Sequence, residues 1–74
     1  MNETPKDFLE IFQEIEDKAQ GKNYQEFDFA KEYADKINDE DYILDLIKAA
    51  RGANYHHMAD GFEASLKDLK NEVR

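Results

Sequence analysis

The fold is decided by residues 55–73, which read YHHMADGFEASLKDLKNEV. Apolar residues recur there every three or four positions, the spacing that keeps side chains on one face of an α-helix. The apolar stripe consists of Tyr55, Met58, Ala59, Phe62, Leu66, Leu69 and Val73. Gly61 lies on the opposite side of the helix, where it either permits the close approach of a neighbouring element or is simply tolerated. The stretch therefore predicts an amphipathic helix that buries one face.

The same period predicts three earlier helices, over residues 5–20, 24–37 and 40–51. Asn23 is a capping residue in front of the second segment, and Gly21 suits the turn that ends the first. No segment alternates polar and apolar residues over the length of a strand, so no sheet is predicted.

The third segment is unusually apolar. Its apolar residues cover about 200° of the helix circumference, and they are Tyr42, Ile43, Leu44, Leu46, Ile47, Ala49 and Ala50. Such a helix either lies at the centre of a bundle or offers a second face to another molecule. Central burial is the favoured interpretation.

Length and composition complete the prediction of the fold. A chain of 74 residues corresponds to one domain, which buries only about 60% of its unfolded surface. We therefore expect a single all-α domain over residues 1–74, a compact bundle of four, at the fewest three, short helices with no sheet. The absence of cysteine excludes disulfides and thiolate metal sites. With no membrane-length apolar run and no secretory leader pattern at the N-terminus, we expect a cytoplasmic protein that does not enter membranes.

The negative charge is concentrated in one part of the chain. The sequence has 18 acids against 10 bases, a net charge of −8. The segment from Glu26 to Asp45 contains eight acids and two lysines and alone carries −6. Since affinity for phosphates comes from lysine and arginine, we expect no direct binding of nucleic acid. Two explanations of the charge remain open, a partner with a basic surface and ordinary solubility.

Ten residues form the candidate partner-binding surface. Three carboxylates, Asp28, Glu32 and Asp35, lie opposite the apolar face of the second helix. Tyr24 lies near this acidic side and Phe29 at the edge of the apolar face, and aromatic residues beside carboxylates are good anchors for a basic protein. The alternative, which is favoured for each ring taken singly, is that the first helix or its connecting loop covers it. The full set is Tyr24, Glu26, Asp28, Phe29, Glu32, Asp35, Asp39, Glu40, Asp41 and Asp45.

No pattern in the sequence is typical of catalysis or of metal binding. His56 and Asp60, four residues apart, supply two ligands where a zinc site needs three or four. The acids of residues 35–45 lack the glycine and glutamate positions of a calcium loop. We therefore expect no enzyme activity, no catalytic residues, no cofactor and no metal, with metal binding by His56 and Asp60 as a remote alternative.

Two functional hypotheses follow. The leading one is a non-catalytic interaction protein whose acidic surface docks on a basic region of another protein, for example a nucleic-acid-binding protein. Inhibitors, antitoxins, immunity proteins and DNA mimics include short acidic helical proteins, an association by composition only. The second hypothesis is an assembly role, in which apolar faces containing Leu44, Leu9 and Ile11 form a homodimer or join a larger complex.

Overall fold

Four α-helices make up the part of the chain that the structure describes. The computed structural model describes residues 4–72, with side chains from residue 8 to residue 71. The helices are α1 (Thr4–Ala19), α2 (Asn23–Ile37), α3 (Glu40–Gly52) and α4 (His56–Glu72). No strand occurs within these residues, and the predicted boundaries agree to within one residue, which confirms the all-α bundle. The end of the predicted apolar stripe, Val73, lies outside the described residues.

The turns between helices use left-handed backbone conformations. Gly21 follows α1 with φ of 81°, as expected for a glycine that ends a helix. Asn38 ends α2 with φ of 57°, and its N–H donates to the carbonyl of Ala34. Asn23 was expected to cap α2, but it is the first helical residue and the cap position is Lys22, which makes no side-chain capping bond.

The apolar faces of all four helices meet in one core. Its largest fully buried side chains include Phe12 of α1 and Phe62 of α4, whose ring centroids lie 6.2 Å apart. Phe12 also contacts Tyr55, with ring centroids 5.3 Å apart. Such tilted ring pairs add to the stability that burial provides. No described helix combines the length and the apolar character needed to cross a membrane.

The third helix is buried on one side only. Ile43, Leu46, Ile47 and Ala50 lie in the core, whereas 40% of Leu44 is exposed. Central burial therefore explains most of its apolar arc but not Leu44.

The packing of α2 against α4 is close because small residues meet there. Ala30 and Ala34 of α2 are fully buried, and Gly61 of α4 is buried against them. A Cβ added at Gly61 would lie 2.9 Å from Cβ of Ala30 and would collide with the carbonyl oxygen of Phe27. Of the two interpretations of Gly61, close approach of a neighbour is the correct one. Gly61 lies about 60° around α4 from Met58 and not on the opposite side, so the buried arc of α4 is wider than its apolar stripe.

Candidate interaction surface

The outward face of α2 carries an acidic stripe, which we define as Tyr24, Asp28, Glu32 and Asp35. Their spacings of four, four and three residues bring them onto one side of a helix. All four are exposed, and Tyr24, at 65%, is the most exposed large hydrophobic residue of the described chain. The stripe is therefore a real surface feature in which an aromatic ring lies beside carboxylates.

Two carboxylates of the stripe are unpaired. Asp28 and Glu32 make no hydrogen bond or ion pair with any other residue between positions 4 and 72. Lys31, the lysine next to Glu32 in the sequence, instead forms ion pairs with Asp35 and Asp68. The charges of Asp28 and Glu32 are thus available to another molecule.

Asp35, by contrast, is part of the contact between α2 and α4. The hydroxyl of Ser65, a buried residue of α4, donates to Oδ1 of Asp35 at 2.5 Å. Nζ of Lys31 lies 3.1 Å from its Oδ2. The hydrogen bond from Ser65, followed by that from Lys31, holds the pKa of the Asp35 carboxyl below its ordinary value, against the opposing effect of partial burial. Asp35 therefore belongs to the stripe by position, but its charge already serves the fold.

Lys31 joins the two helices from the same side. Its Nζ lies 3.0 Å from Oδ2 of Asp68 on α4, in addition to the contact with Asp35. The hydrogen bond to Asp68, and then that to Asp35, raise the pKa of the Lys31 ammonium. One lysine thus offsets two carboxylates at this end of the stripe.

Glu26 does not contribute to the exposed surface, contrary to the expectation from sequence. Only 9% of Glu26 is exposed, and its carboxylate takes part in none of the hydrogen bonds or ion pairs among the described residues. It lies four residues before Ala30, so the two side chains are on the same side of α2. Its charge also acts on Tyr55, whose hydroxyl pKa is raised by burial first and then by the charges of Glu16 and Glu26. The acidic surface is therefore smaller than the run of acids in the sequence.

Phe29 lies on a different side of α2 from Tyr24. Its ring is half-buried and packs against the core cluster. A shallow groove of about 50 Å³ between α1 and α2 is lined by Glu14, Ile15, Lys18, Phe29, Glu32, Tyr33 and Lys36. The first helix thus covers Phe29 in part, as the alternative interpretation predicts, whereas Tyr24 remains uncovered.

The acids at the start of α3 have two roles. Asp39 is the N-cap residue, and its Oδ1 accepts from the backbone N–H groups of Asp41 at 3.1 Å and Tyr42 at 3.3 Å. Glu40, Asp41 and Asp45 are exposed. Capping explains Asp39, and the favourable position of acids at a helix N-terminus explains Glu40 and Asp41 in part.

The first helix carries a second acidic face that the count by segment did not reveal. Its exposed residues between positions 8 and 19 include four acids, Glu10, Glu14, Glu16 and Asp17, against one lysine, Lys18. The helical period of α1 contains this signal, because its apolar face leaves these acids on the outside. The negative surface therefore spans two helices.

The remote metal hypothesis gains nothing from the geometry. His56 and His57 are both exposed. Asp60 accepts a hydrogen bond from Nη2 of Arg51 at 3.3 Å. The same nitrogen lies 2.9 Å from Oε2 of Glu63. Among the described residues, no group of three potential ligands is close enough to hold a metal ion.

The larger surface cavity is small and polar. It encloses about 170 Å³ and is lined by Ala34, Asp35, Asn38, Ile43, Ser65, Asp68 and Leu69. Ligand pockets for organic cofactors usually measure about 300 to 1,000 Å³. This cavity is thus smaller than the usual pocket for an organic cofactor.

Comparison with known proteins adds no relative. No protein-family model, no curated protein and no solved structure matches this chain.

Proposed function

We propose that this protein is a non-catalytic interaction module that binds a basic surface of another protein through the acidic stripe of α2. The observation that carries the proposal is Tyr24, an uncovered aromatic ring on the same face as two unpaired carboxylates, Asp28 and Glu32. Tyrosine is enriched where proteins bind one another, because it combines apolar area with a hydroxyl. Charged side chains are sufficient for solubility, so solubility alone does not account for the exposed aromatic ring of Tyr24 on this face.

Charge supports the same partner class. With a net charge of −8 the protein repels other acidic surfaces and attracts basic ones over a distance of about 8 Å at physiological salt. Lysine and arginine side chains of the partner would pair with Asp28 and Glu32 and stack on Tyr24. Association should be fast and should weaken as salt is added.

A nucleic-acid-binding protein is one form of such a partner, with carboxylates standing in for phosphates. The axial rise between Asp28 and Glu32 is about 6 Å in an α-helix, whereas one DNA strand carries a phosphate every 3.4 Å or so. The stripe alone has a lower charge density than DNA, so it would replace only some of the phosphates that such a partner contacts. Competition with duplex DNA for the captured partner separates this form from other basic partners.

The test is a charge reversal with a matched control. The variant Asp28→Lys with Glu32→Lys and the control Glu10→Lys with Glu14→Lys both change the net charge from −8 to −4. Asp35 is left intact because it bonds Ser65. Each protein is immobilised and exposed to cell lysate at low and high salt, and retained proteins are identified by mass spectrometry. The captured partner is then purified and its affinity for each variant is measured by titration.

The two variants should behave differently. A basic partner held by the wild type and by the α1 control, but released by the α2 variant, supports the proposal. Unchanged affinity of the α2 variant for that partner, or equal loss in both variants, contradicts it.

A further inference from the structure

The exposed side of α3 has the spacing of a helix-pairing surface. Asp41, Leu44, Lys48 and Arg51 follow one another at intervals of three, four and three residues, and all four are exposed. This is the spacing of the positions that meet when two helices pack side by side. Leu44, 40% exposed, lies in the middle of the row, with an acid at one end and a base at the other. We call these four residues the pairing face.

The order of charges selects one arrangement of two such faces. In a parallel pair, Asp41 would meet Asp41 and Arg51 would meet Arg51 of a second copy, which is repulsive at both ends. In an antiparallel pair, Asp41 meets Arg51 of the second copy, and Leu44 meets Lys48 of the second copy, whose methylene stem can cover a leucine. Each contact occurs twice, as in any two-fold symmetric interface. The face is complementary to itself in the antiparallel arrangement only.

We propose that α3 is a self-association surface, through which two copies of this chain pair antiparallel around Leu44 and Lys48. This inference is independent of the acidic stripe, since it concerns another helix and another occupant. Arg51 keeps unused donors although it forms ion pairs within its own chain. Only Nη2 of Arg51 binds Asp60 and Glu63, so the other N–H groups can donate to Asp41 of the second copy.

The size of the face sets the strength of the dimer. One helix of 13 residues offers less area than the roughly 800 Å² per partner of a stable interface, so the dimer is weak and exchanges rapidly. The net charge of −8 on each copy opposes association at low salt. Measurements therefore belong at about 0.15 M salt, where charges more than about 8 Å apart are largely screened.

Sedimentation equilibrium between about 10 µM and 1 mM tests the dimer, a range that covers weak interfaces. The wild type should shift from monomer to dimer across this range. Leu44→Lys should weaken the dimer at least tenfold or so, because the apolar contacts of leucine are lost and each new ammonium would face Lys48 of the second copy. A wild type that stays monomeric throughout overturns the proposal.

Leu9→Lys is the matched control, because Leu9 is the other exposed leucine, at 53%. Its neighbour Phe8 contacts Tyr42, with ring centroids 5.6 Å apart. Tyr42 lies about 160° around α3 from Leu44, so Leu9 is remote from the pairing face. Leu9→Lys should leave the dimer unchanged; a loss as large as that of Leu44→Lys overturns the assignment to α3.

A mixing experiment tests the antiparallel order. Asp41→Arg makes both ends of the pairing face basic, and Arg51→Glu makes both ends acidic, so each variant alone should dimerise about tenfold more weakly. An equal mixture should recover the wild-type strength, since every end then meets its opposite. Both variants remain net negative, so general attraction does not explain a recovery, and circular dichroism checks that each is folded. A variant that dimerises alone as strongly as the wild type overturns the antiparallel order, because a parallel pair would be equally repulsive in both. A mixture no stronger than its components overturns the pairing of opposite charges.

Discussion

Ser65 and Asp35 show how a polar contact can be buried at one end and solvated at the other. Ser65 is 2% exposed, and Asp35 is the acceptor of its hydroxyl. The Asp35 side chain is 45% exposed, so water screens much of its charge. The contact therefore satisfies a buried hydroxyl and at the same time fixes the direction of a surface carboxylate.

Ser65→Ala should lower the free energy of unfolding by about 1 kcal/mol at neutral pH, because a hydrogen bond to a charged group is lost. The pKa of Asp35 is lowered in the folded protein, so its contribution is present above the ordinary value of about 3.9 and disappears as the pH falls through the lower folded value. The cost of Ser65→Ala should therefore shrink in acid. Urea unfolding at several pH values measures it.

Asp35→Asn provides the control for this pH dependence. In that background the carboxylate is absent, so the cost of Ser65→Ala should no longer vary with pH. A cost that falls in acid to the same extent with Asn at position 35 would assign the effect to another group.

At the scale of elements, the contact between α2 and α4 depends on the absence of a side chain at Gly61. The backbone of α2 passes so close that a Cβ there would lie 3.1 Å from the backbone nitrogen of Lys31, besides meeting Phe27 and Ala30. Backbone atoms cannot rotate away as a flexible side chain would. The two helices must separate to admit even one methyl group.

Gly61→Ala should therefore destabilise the protein by about 1 to 3 kcal/mol, the usual cost of overpacking. Helix propensity alone would make alanine more stabilising than glycine by about 1 kcal/mol. A loss of stability therefore indicates that α2 lies too close for the added methyl group. Gly52→Ala is the control, since a Cβ at Gly52 meets nothing within 4 Å, and it should be neutral or stabilising. Thermal and urea unfolding of both variants measure the difference; stabilisation by Gly61→Ala would contradict the packing.

At the scale of the whole molecule, negative charge covers two helices of a small body. The Cα radius of gyration is 11.6 Å, and the Debye length is about 30 Å at 0.01 M salt. Every charge therefore interacts with every other one at low ionic strength. The acids of α1 and of the acidic stripe repel one another through the folded structure.

Added salt should raise the melting temperature by a few degrees between about 0.01 and 0.5 M sodium chloride, because screening relieves this repulsion. The ion pairs of Lys31 and Arg51 are weakened at the same time, but exposed pairs contribute little. Asp28→Lys with Glu32→Lys should show a smaller rise, as its net charge is −4. A melting temperature that falls with salt in the wild type would mean that ion pairs outweigh repulsion.

The sequence by itself determined the four helices and their boundaries. Helix formation depends on residues three and four apart, and that spacing can be read directly in the chain. The favourable position of Asp39, Glu40 and Asp41 at a helix N-terminus was also predictable. The acidic face of α1 was also predictable from the helical period, although counting the charges by segment did not reveal it.

Only the tertiary structure decided which neighbour each face meets. The burial of Glu26, the covering of Phe29, the bond from Ser65 to Asp35 and the approach of α2 to Gly61 all involve residues from different helices. A periodic pattern shows which side of a helix is apolar, but it contains no information on which helix packs there or how closely. The separation of charges that serve the fold from charges open to a partner is for that reason a property of the assembled bundle.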